Sequence, residues 1–372
     1  MAGLYVHIPF CKKRCLYCDF FSTVLLDRRE EYVQVLLQEI KERQEEAGEP
    51  IHTIYIGGGT PSMLTAEQIQ SILRAIGATD AEEITMEANP GDLTPDYLNA
   101  IRCAGINRLS IGVQSFHDEL LQLLGRRHNS EQAIEAVRMA QKAGFDNISI
   151  DLMYALPGQT IDMWKADIES ALRLNVQHIS CYGLMYEEGT PITQKRDYGE
   201  ILPIDEDTEN QMYDLLCQQL KDAGFVHYEV SNFAQPGYEA KHNSSYWNGT
   251  PYIGIGAGAH SYIANTRSWN PDNLDAYIAG IMAHDLQREK EELTEIDRFN
   301  EYIMLGLRTN RGIDIRKYNA NETNTRLYRD ITETITRALG DNLLTKTADG
   351  RIIATQQGLH VLNRIITDLM IE

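Results

Sequence analysis

Short apolar, β-branched runs alternate with longer segments of helical spacing through residues 1–225. The runs are Leu4–Ile8, Thr53–Ile56, Glu83–Glu87, Arg108–Val113, Asn147–Leu152 and His178–Gly183. Each is short and nearly continuous, as in parallel strands covered on both faces. Between them the pattern predicts helices over Arg28–Gln44, Ala66–Ile76, Pro95–Ala104, Ser130–Ala143, Ile161–Leu174 and Thr208–Ala223. Several close on a glycine just before the next strand, as in Ala104-Gly105, Ala143-Gly144 and Ala223-Gly224, the usual helix C-cap. Six βα units in series predict an α/β fold: a parallel sheet curved into a partial (β/α)6 barrel of the TIM type. Chemistry in such a sheet gathers at the carboxyl ends of the strands.

After Gly224 the pattern changes. Residues 226–270 read as short strands and loops rich in Gly, Tyr and Asn, followed by a helix over Asp272–Ala283 and a charged connector over Arg288–Glu295. A smaller unit then begins, with helices near Asp297–Leu307 and Thr325–Leu339, a hairpin through Asp349-Gly350, and a helix from Gln357 to about Met370. The expected domains are therefore 1–225, a barrel extension over 226–290, and a winged-helix-like helical module over 291–372. That module carries 11 Lys/Arg against 13 Asp/Glu, a net charge of −2. This is a poor footprint for DNA and favours a packing or substrate-covering role.

The 372 residues suffice for one large α/β domain and a smaller second one. A net charge of −20 opposes a nucleic-acid partner. No apolar stretch approaches the roughly eighteen residues of a membrane span, and Met1–Pro9 lacks the basic and apolar regions of a signal peptide. The expectation is a cytoplasmic protein, in a compartment where cysteines serve metals or chemistry before crosslinks. Of six cysteines, Cys103, Cys181 and Cys217 are scattered in apolar surroundings and read as small buried hydrophobes.

The other three, Cys11, Cys15 and Cys18, stand as C-x-x-x-C-x-x-C directly after the first strand. Three thiols are one short of a closed structural zinc site, for which His7 or Asp19 would have to add a ligand. Three thiols could also hold a [4Fe–4S] cluster with one iron left open to a small molecule. Strand two ends in Gly57-Gly58-Gly59-Thr60-Pro61, whose bare backbone would let a ligand approach or would merely turn the chain. Glu87, Gln114 and Asp151 stand at the ends of strands three, four and five, converging on one point or capping the helices that follow. Arg126 is either a cation facing a carboxylate or a solvated helix-end charge. In His242-Asn243-Ser244-Ser245-Tyr246-Trp247 an imidazole beside large aromatics suits a heme, or is a hydrogen-bonded structural histidine. Gly254-Ile255-Gly256-Ala257-Gly258-Ala259-His260 lacks the spacing and βαβ context of a dinucleotide fingerprint.

Cys11-Lys12-Lys13-Arg14-Cys15-Leu16-Tyr17-Cys18 resembles the motif of the radical S-adenosylmethionine (radical SAM) superfamily. Tyr5-Val6-His7-Ile8-Pro9-Phe10-Cys11, Gly57-Gly58-Gly59-Thr60-Pro61-Ser62 and Asp151-Leu152-Met153-Tyr154-Ala155-Leu156-Pro157-Gly158-Gln159 narrow the resemblance. They are similar to the oxygen-independent coproporphyrinogen III oxidase family and its relatives, the heme chaperone (HemW) group. The resemblance runs over essentially the whole chain. It implies a radical SAM barrel with a [4Fe–4S] cluster on Cys11, Cys15 and Cys18. It also implies SAM contacts at Tyr5, Tyr17, Gly58, Gly59, Thr60, Glu87, Gln114, Arg126 and Asp151. In that family an electron from the cluster breaks a C–S bond of SAM and forms a 5′-deoxyadenosyl radical within a water-excluding barrel.

Two departures separate the relatives. The oxidases resemble C-x-x-x-C-x-x-C-x-C, whereas Phe20 holds the place of the further cysteine here; they also carry an N-terminal extension, whereas ten residues precede Cys11. His242-Asn243-x-x-Tyr246-Trp247 matches the H-N-x-x-Y-W signature of the heme chaperone group, which implies heme contacts at His242, Asn243, Tyr246 and Trp247. The resemblance thus points to a heme chaperone delivering heme to apo-proteins such as membrane-bound respiratory cytochromes. Peripheral membrane docking and a cofactor-linked homodimer are conceivable on the same ground. The alternatives are a true coproporphyrinogen III oxidase, another radical SAM enzyme, or a barrel used only as a binding scaffold.

Overall fold

Six strands follow one another in parallel where the apolar runs stand: β1 (Ala2–Ile8), β2 (Ile51–Gly58), β3 (Glu83–Ala88), β4 (Arg108–Gln114), β5 (Ile148–Tyr154) and β6 (His178–Gly183). The computed structural model describes residues 2–43, 45–77, 80–318 and 325–371. The helices accompanying the strands are α1 (Arg29–Arg43), α2 (Ala66–Ile76), α3 (Pro95–Ala104), α4 (Asp118–Leu123), α5 (Ser130–Lys142), α6 (Ile161–Arg173), α7 (Pro191–Asp197) and α8 (Glu206–Asp222). Gln44, the expected end of α1, lies outside the described residues. The sequence pattern missed α4 and α7, which have 6 and 7 residues, too few to display a period. Local chemistry supports several ends: Thr65 and Gln68 form a reciprocal capping box at the start of α2, and Gly77 closes it in the left-handed conformation.

Strand alternation sorts the side chains. Leu4, Val6 and Ile8 of β1 are wholly buried and join Tyr32, Leu36 and Ile40 of α1 in the main core. Each such aliphatic side chain contributes roughly 1.5–3 kcal/mol by leaving water. Tyr5 and His7, the alternate positions, face the barrel interior. Tyr5 stacks there on Tyr55 of β2 at 6.2 Å between centroids.

The region after α8 is more ordered than the sequence suggests. It holds β7 (Val226–Glu229), β8 (Asn232–Ala234), α9 (Lys241–Trp247), β9 (Tyr252–Ile255), β10 (His260–Ile263), β11 (Thr266–Trp269), α10 (Leu274–Met282) and β12 (Glu289–Glu292). The sheet order is β12-β11-β10-β9-β1-β2-β3-β4-β5-β6-β8-β7, and β9 runs parallel to β1 on its free side. The two edges, β7 and β12, do not meet, so the barrel is partial. The expected connector at Arg288–Glu295 is therefore corrected: Glu289–Glu292 is an edge strand paired with β11, its charges in solvent, as suits an edge that must not recruit another strand. The expected loop around His242 is likewise corrected to α9, whose first backbone N–H groups (Lys241 and His242) both donate to the Glu83 carboxylate at 2.9 Å. Cys181 is buried, but Cys103 is exposed. It sits two residues beyond Ile101, the last buried position of α3, and so turns onto the opposite face.

The C-terminal module comprises α11 (Glu295–Leu307), α12 (Thr325–Gly340), the hairpin β13 (Leu344–Lys346) and β14 (Ile352–Ala354), α13 (Gln356–His360) and α14 (Leu362–Leu369). This is the helix–helix–hairpin–helix order of a winged-helix-like unit. Phe299, Ile303, Ile335, Ile352, Ile365 and Leu369 form a core distinct from that of the barrel. The single helix expected from Gln357 to Met370 breaks at Val361, where ψ is 21°.

Candidate functional site

The cysteine loop is fastened to its surroundings before any ligand is considered. Cys11 N–H donates to the Thr23 carbonyl, Leu16 N–H to Leu124, and Ile192 N–H to the Leu16 carbonyl, at 2.8–3.0 Å. Cys11 Sγ lies 3.5 Å from Thr60 Oγ1, and Arg126 Nη1 donates to Cys15 Sγ at 3.3 Å. Burial raises the Cys11 thiol, and pushes that of Cys18 up to about 11, with each neighbouring thiol adding to the effect. The three sulfurs therefore share one electrostatic site. Among the described residues no three His, Cys, Asp or Glu side chains close around one ion-sized point. Thiols spread around a cube of four irons need no such closure. A positively charged cluster is the kind of group that would hold these thiols ionised.

A polar cradle adjoins the loop. Glu87 accepts from Tyr55 Oη at 2.8 Å and from the Gly58 N–H at 3.1 Å, and burial pushes its carboxyl up to about 7. Tyr5 stands close enough to Glu87 for that carboxylate to raise its phenol further, after burial. Asp151, in the middle of β5 rather than at its end, accepts from Ser110 Oγ at 3.1 Å. Arg126 reaches the Gly112 carbonyl at 2.5 Å, yet its Nε is buried without a partner among the described residues. Gln114 holds a φ of 71° and brings its amide beside the same glycine. Tyr17 feels Arg126, Cys15 and Asp151 together, its phenol raised chiefly by burial. At Gly59 a Cβ would lie 2.8 Å from the Pro9 backbone, so only glycine permits this approach. Pairwise contacts join these residues to the thiol loop: Thr60 to Cys11, Arg126 to Cys15 and Gly112, Glu87 to Gly58 and Tyr55, with Gln114 beside Gly112 and Tyr17 within the field of Arg126 and Asp151. The unanswered Arg126 donor suits an acceptor such as the carboxylate of SAM.

Beside the loop opens a cavity of about 670 Å3, within the roughly 300–1,000 Å3 range of small-molecule and cofactor sites. Phe20, Phe21, Tyr246, Tyr252 and Tyr262 furnish aromatic walls, and His7, His260 and Arg267 add polar groups. Phe20, standing where the oxidases' further cysteine would be, is 66% exposed. The sequence reading missed this cavity. The alternation placing His7 beside Tyr5 was a signal for one wall.

The H-N-x-x-Y-W residues divide. Tyr246 lines the cavity, whereas His242, Asn243 and Trp247 do not. His242 is wholly buried, with Nδ1 2.9 Å from Thr53 Oγ1 and Nε2 2.8 Å from Tyr246 Oη. Its ring stacks on Tyr55 at 5.3 Å, and burial, then Arg108, lowers its pKa to about 3. A neutral ring with both nitrogens engaged plugs the start of the barrel; it is not presented to a ligand.

Known proteins resemble this chain over its length. The family model described as the radical SAM superfamily matches residues 5–171, and the HemN C-terminal domain matches residues 293–361. Heme chaperone HemW of Lactococcus lactis is 37% identical over 99% of this chain and 97% of its own. HemW of Bacillus subtilis is 35% identical over 98% of both, and that of Escherichia coli 41% identical over 70% of both. The solved coproporphyrinogen III oxidase HemN of Escherichia coli, 24% identical, superposes with a TM-score of 0.84 over 99% of this chain and 89% of its own, a likeness of fold. From the thiol loop to the C-terminal module, the chain belongs to the radical SAM superfamily and, within it, to the heme chaperone HemW family.

Proposed function

We propose that the chain is a heme chaperone that binds heme in the aromatic cavity and hands it to apo-proteins such as membrane-bound respiratory cytochromes. Cys11, Cys15 and Cys18 hold a [4Fe–4S] cluster in this reading, and the cradle from Tyr5 to Asp151 holds SAM on its open iron. When bound, that pair can supply one-electron chemistry. The chain's own contribution is to bury the thiols, orient the nucleotide on Glu87, Arg126 and the Gly58-Gly59 backbone, and keep a porphyrin-sized space beside them. Residues 1–225, 226–290 and 291–372 act as barrel, extension and cover.

The observation that carries this reading is the cavity itself, about 670 Å3 and walled by Phe20, Phe21 and four tyrosines, beside the segment that follows the cysteine loop. Aromatic faces and an imidazole suit a flat metallated macrocycle. Among the described residues no helix is long and apolar enough to cross a membrane. We place the protein in the cytoplasm, with peripheral docking at the membrane during transfer and a cofactor-linked homodimer as the carrier form.

The test is anaerobic reconstitution followed by heme titration and a coproporphyrinogen assay on one sample. A saturable Soret change with no conversion of coproporphyrinogen III is expected. Conversion with SAM and a reductant would reassign the chain to the oxidases, and a flat titration would remove the chaperone reading.

A further inference from the structure

Three histidines lie in or behind the cavity region, and their ring nitrogens are not equivalent. His7 Nε2 donates to the Phe21 carbonyl at 3.0 Å, so Nδ1 accepts from Tyr5 Oη at 2.9 Å. His242 is bonded at both nitrogens to Thr53 and Tyr246. His260 lines the cavity, is exposed, and has no hydrogen bond at either nitrogen among the described residues. Its ring lies nearly flat on Trp269, 5.5 Å between centroids and 17° between planes.

The chain spends considerable structure on placing it there. Glu39, wholly buried, accepts from the Gly256 N–H, Asn270 Nδ2 and Tyr277 Oη, each at 2.7 Å. Arg43 donates to the Gly254 carbonyl at 2.9 Å, and Tyr32 Oη donates to the His7 carbonyl at 2.8 Å. A Cβ at Gly256 would come within 2.7 Å of that carbonyl, at a φ of +104°. The turn is therefore pressed onto β1 and delivers His260 to the cavity wall on a fixed base. On the neighbouring strand, two residues before Trp269, Arg267 pairs with Glu301 of α11 at 2.6 Å. A carboxylate from the C-terminal module thus already occupies the one guanidinium in the lining.

We propose that His260 is the axial ligand of the heme iron in this cavity and that Arg267 receives a heme propionate in place of Glu301. The inference rests on the heme-binding reading above and names its ligand. A ring nitrogen of His260 donates its lone pair to the iron, any water on that position leaves, and no electron changes hands. Trp269, stacked on the ring, limits its rotation. Exchange of one carboxylate for another keeps Arg267 paired and leaves the Glu301 carboxylate to solvent, so heme loading loosens one tie to the C-terminal module.

The experiment is a heme titration of the full-length protein, read by Soret position and by electron paramagnetic resonance of the ferric state. Wild type, His260→Ala, His260→Cys, His242→Gln and Arg267→Gln are compared. His260→Ala should lose affinity by at least roughly tenfold, the low end of what even outer partners of a metal ligand are worth. His260→Cys should recover binding with a thiolate-type spectrum, and Arg267→Gln should weaken binding without changing ligand type. His242→Gln should keep the wild-type spectrum. Unchanged affinity and spectrum in His260→Ala, or loss of the imidazole signature in His242→Gln alone, overturns the assignment while leaving heme binding intact. A wild-type protein that binds no heme overturns the chaperone reading instead.

Discussion

His242 and His260 both stand among aromatic rings near the ends of the same curved sheet, yet the fold treats them oppositely. The first is sealed between Thr53, Tyr55 and Tyr246 at the start of the barrel, both nitrogens bonded. The second rests on Trp269 at a cavity wall with neither nitrogen bonded among the described residues. Residue type and aromatic company therefore do not make a ligand. Availability of the lone pair does, and tertiary hydrogen bonding decides it.

Removing what positions His260 should have the largest effect on this contrast. Glu39→Gln leaves Arg43 without its buried carboxylate partner, a loss of about 3–5 kcal/mol for a broken buried pair. Denaturant unfolding should show it, with weakened heme binding in whatever folded fraction persists. A smaller effect is expected at the sealed histidine. Tyr246→Phe removes the partner of His242 Nε2 and should lower stability by about 1–3 kcal/mol, the range for one stranded buried polar group. Stability unchanged in that variant would mean that His242 is not held as described.

The contrast also marks how far the sequence could be read. Parallel strands covered on both faces write themselves as apolar runs, so β1 to β6 were visible. The thiol spacing Cys11, Cys15, Cys18 is local and was equally plain. Helix α9 was missed because Lys-His-Asn-Ser-Ser-Tyr-Trp is a poor helix former; Glu83, far away in sequence, satisfies its first N–H groups. Strand β9 is four residues long and contains Gly254, so its pairing with β1 leaves little trace. His260 is unremarkable in sequence because its place at the wall depends on Glu39 and Arg43 of α1, which hold the preceding turn, and on Trp269 of β11.

A subtler expectation concerns pH in the cradle. Burial raises the Glu87 carboxyl from 4.5 to about 7. A folded-state pKa above the unfolded one stabilises the fold fully below about pH 4.5 and loses that contribution as pH rises toward 7. In cofactor-free protein, the stability difference between wild type and Glu87→Gln should shift against wild type across that window and flatten above it. A pH-independent difference would place Glu87 in a wetter site than described. The weakest effect is expected at Lys241, whose exposed pair with Glu82 lies outside the seal on His242. Lys241→Ala should leave the denaturation midpoint where it is.

Hydrogen exchange on the intact protein, with and without heme, tests the central contrast most directly. The account expects slowed exchange over residues 19–21 and 258–262, around the cavity and His260, with the Lys241 and His242 amides unchanged. Protection confined to Lys241 and His242, with the cavity segments unaffected, would contradict it.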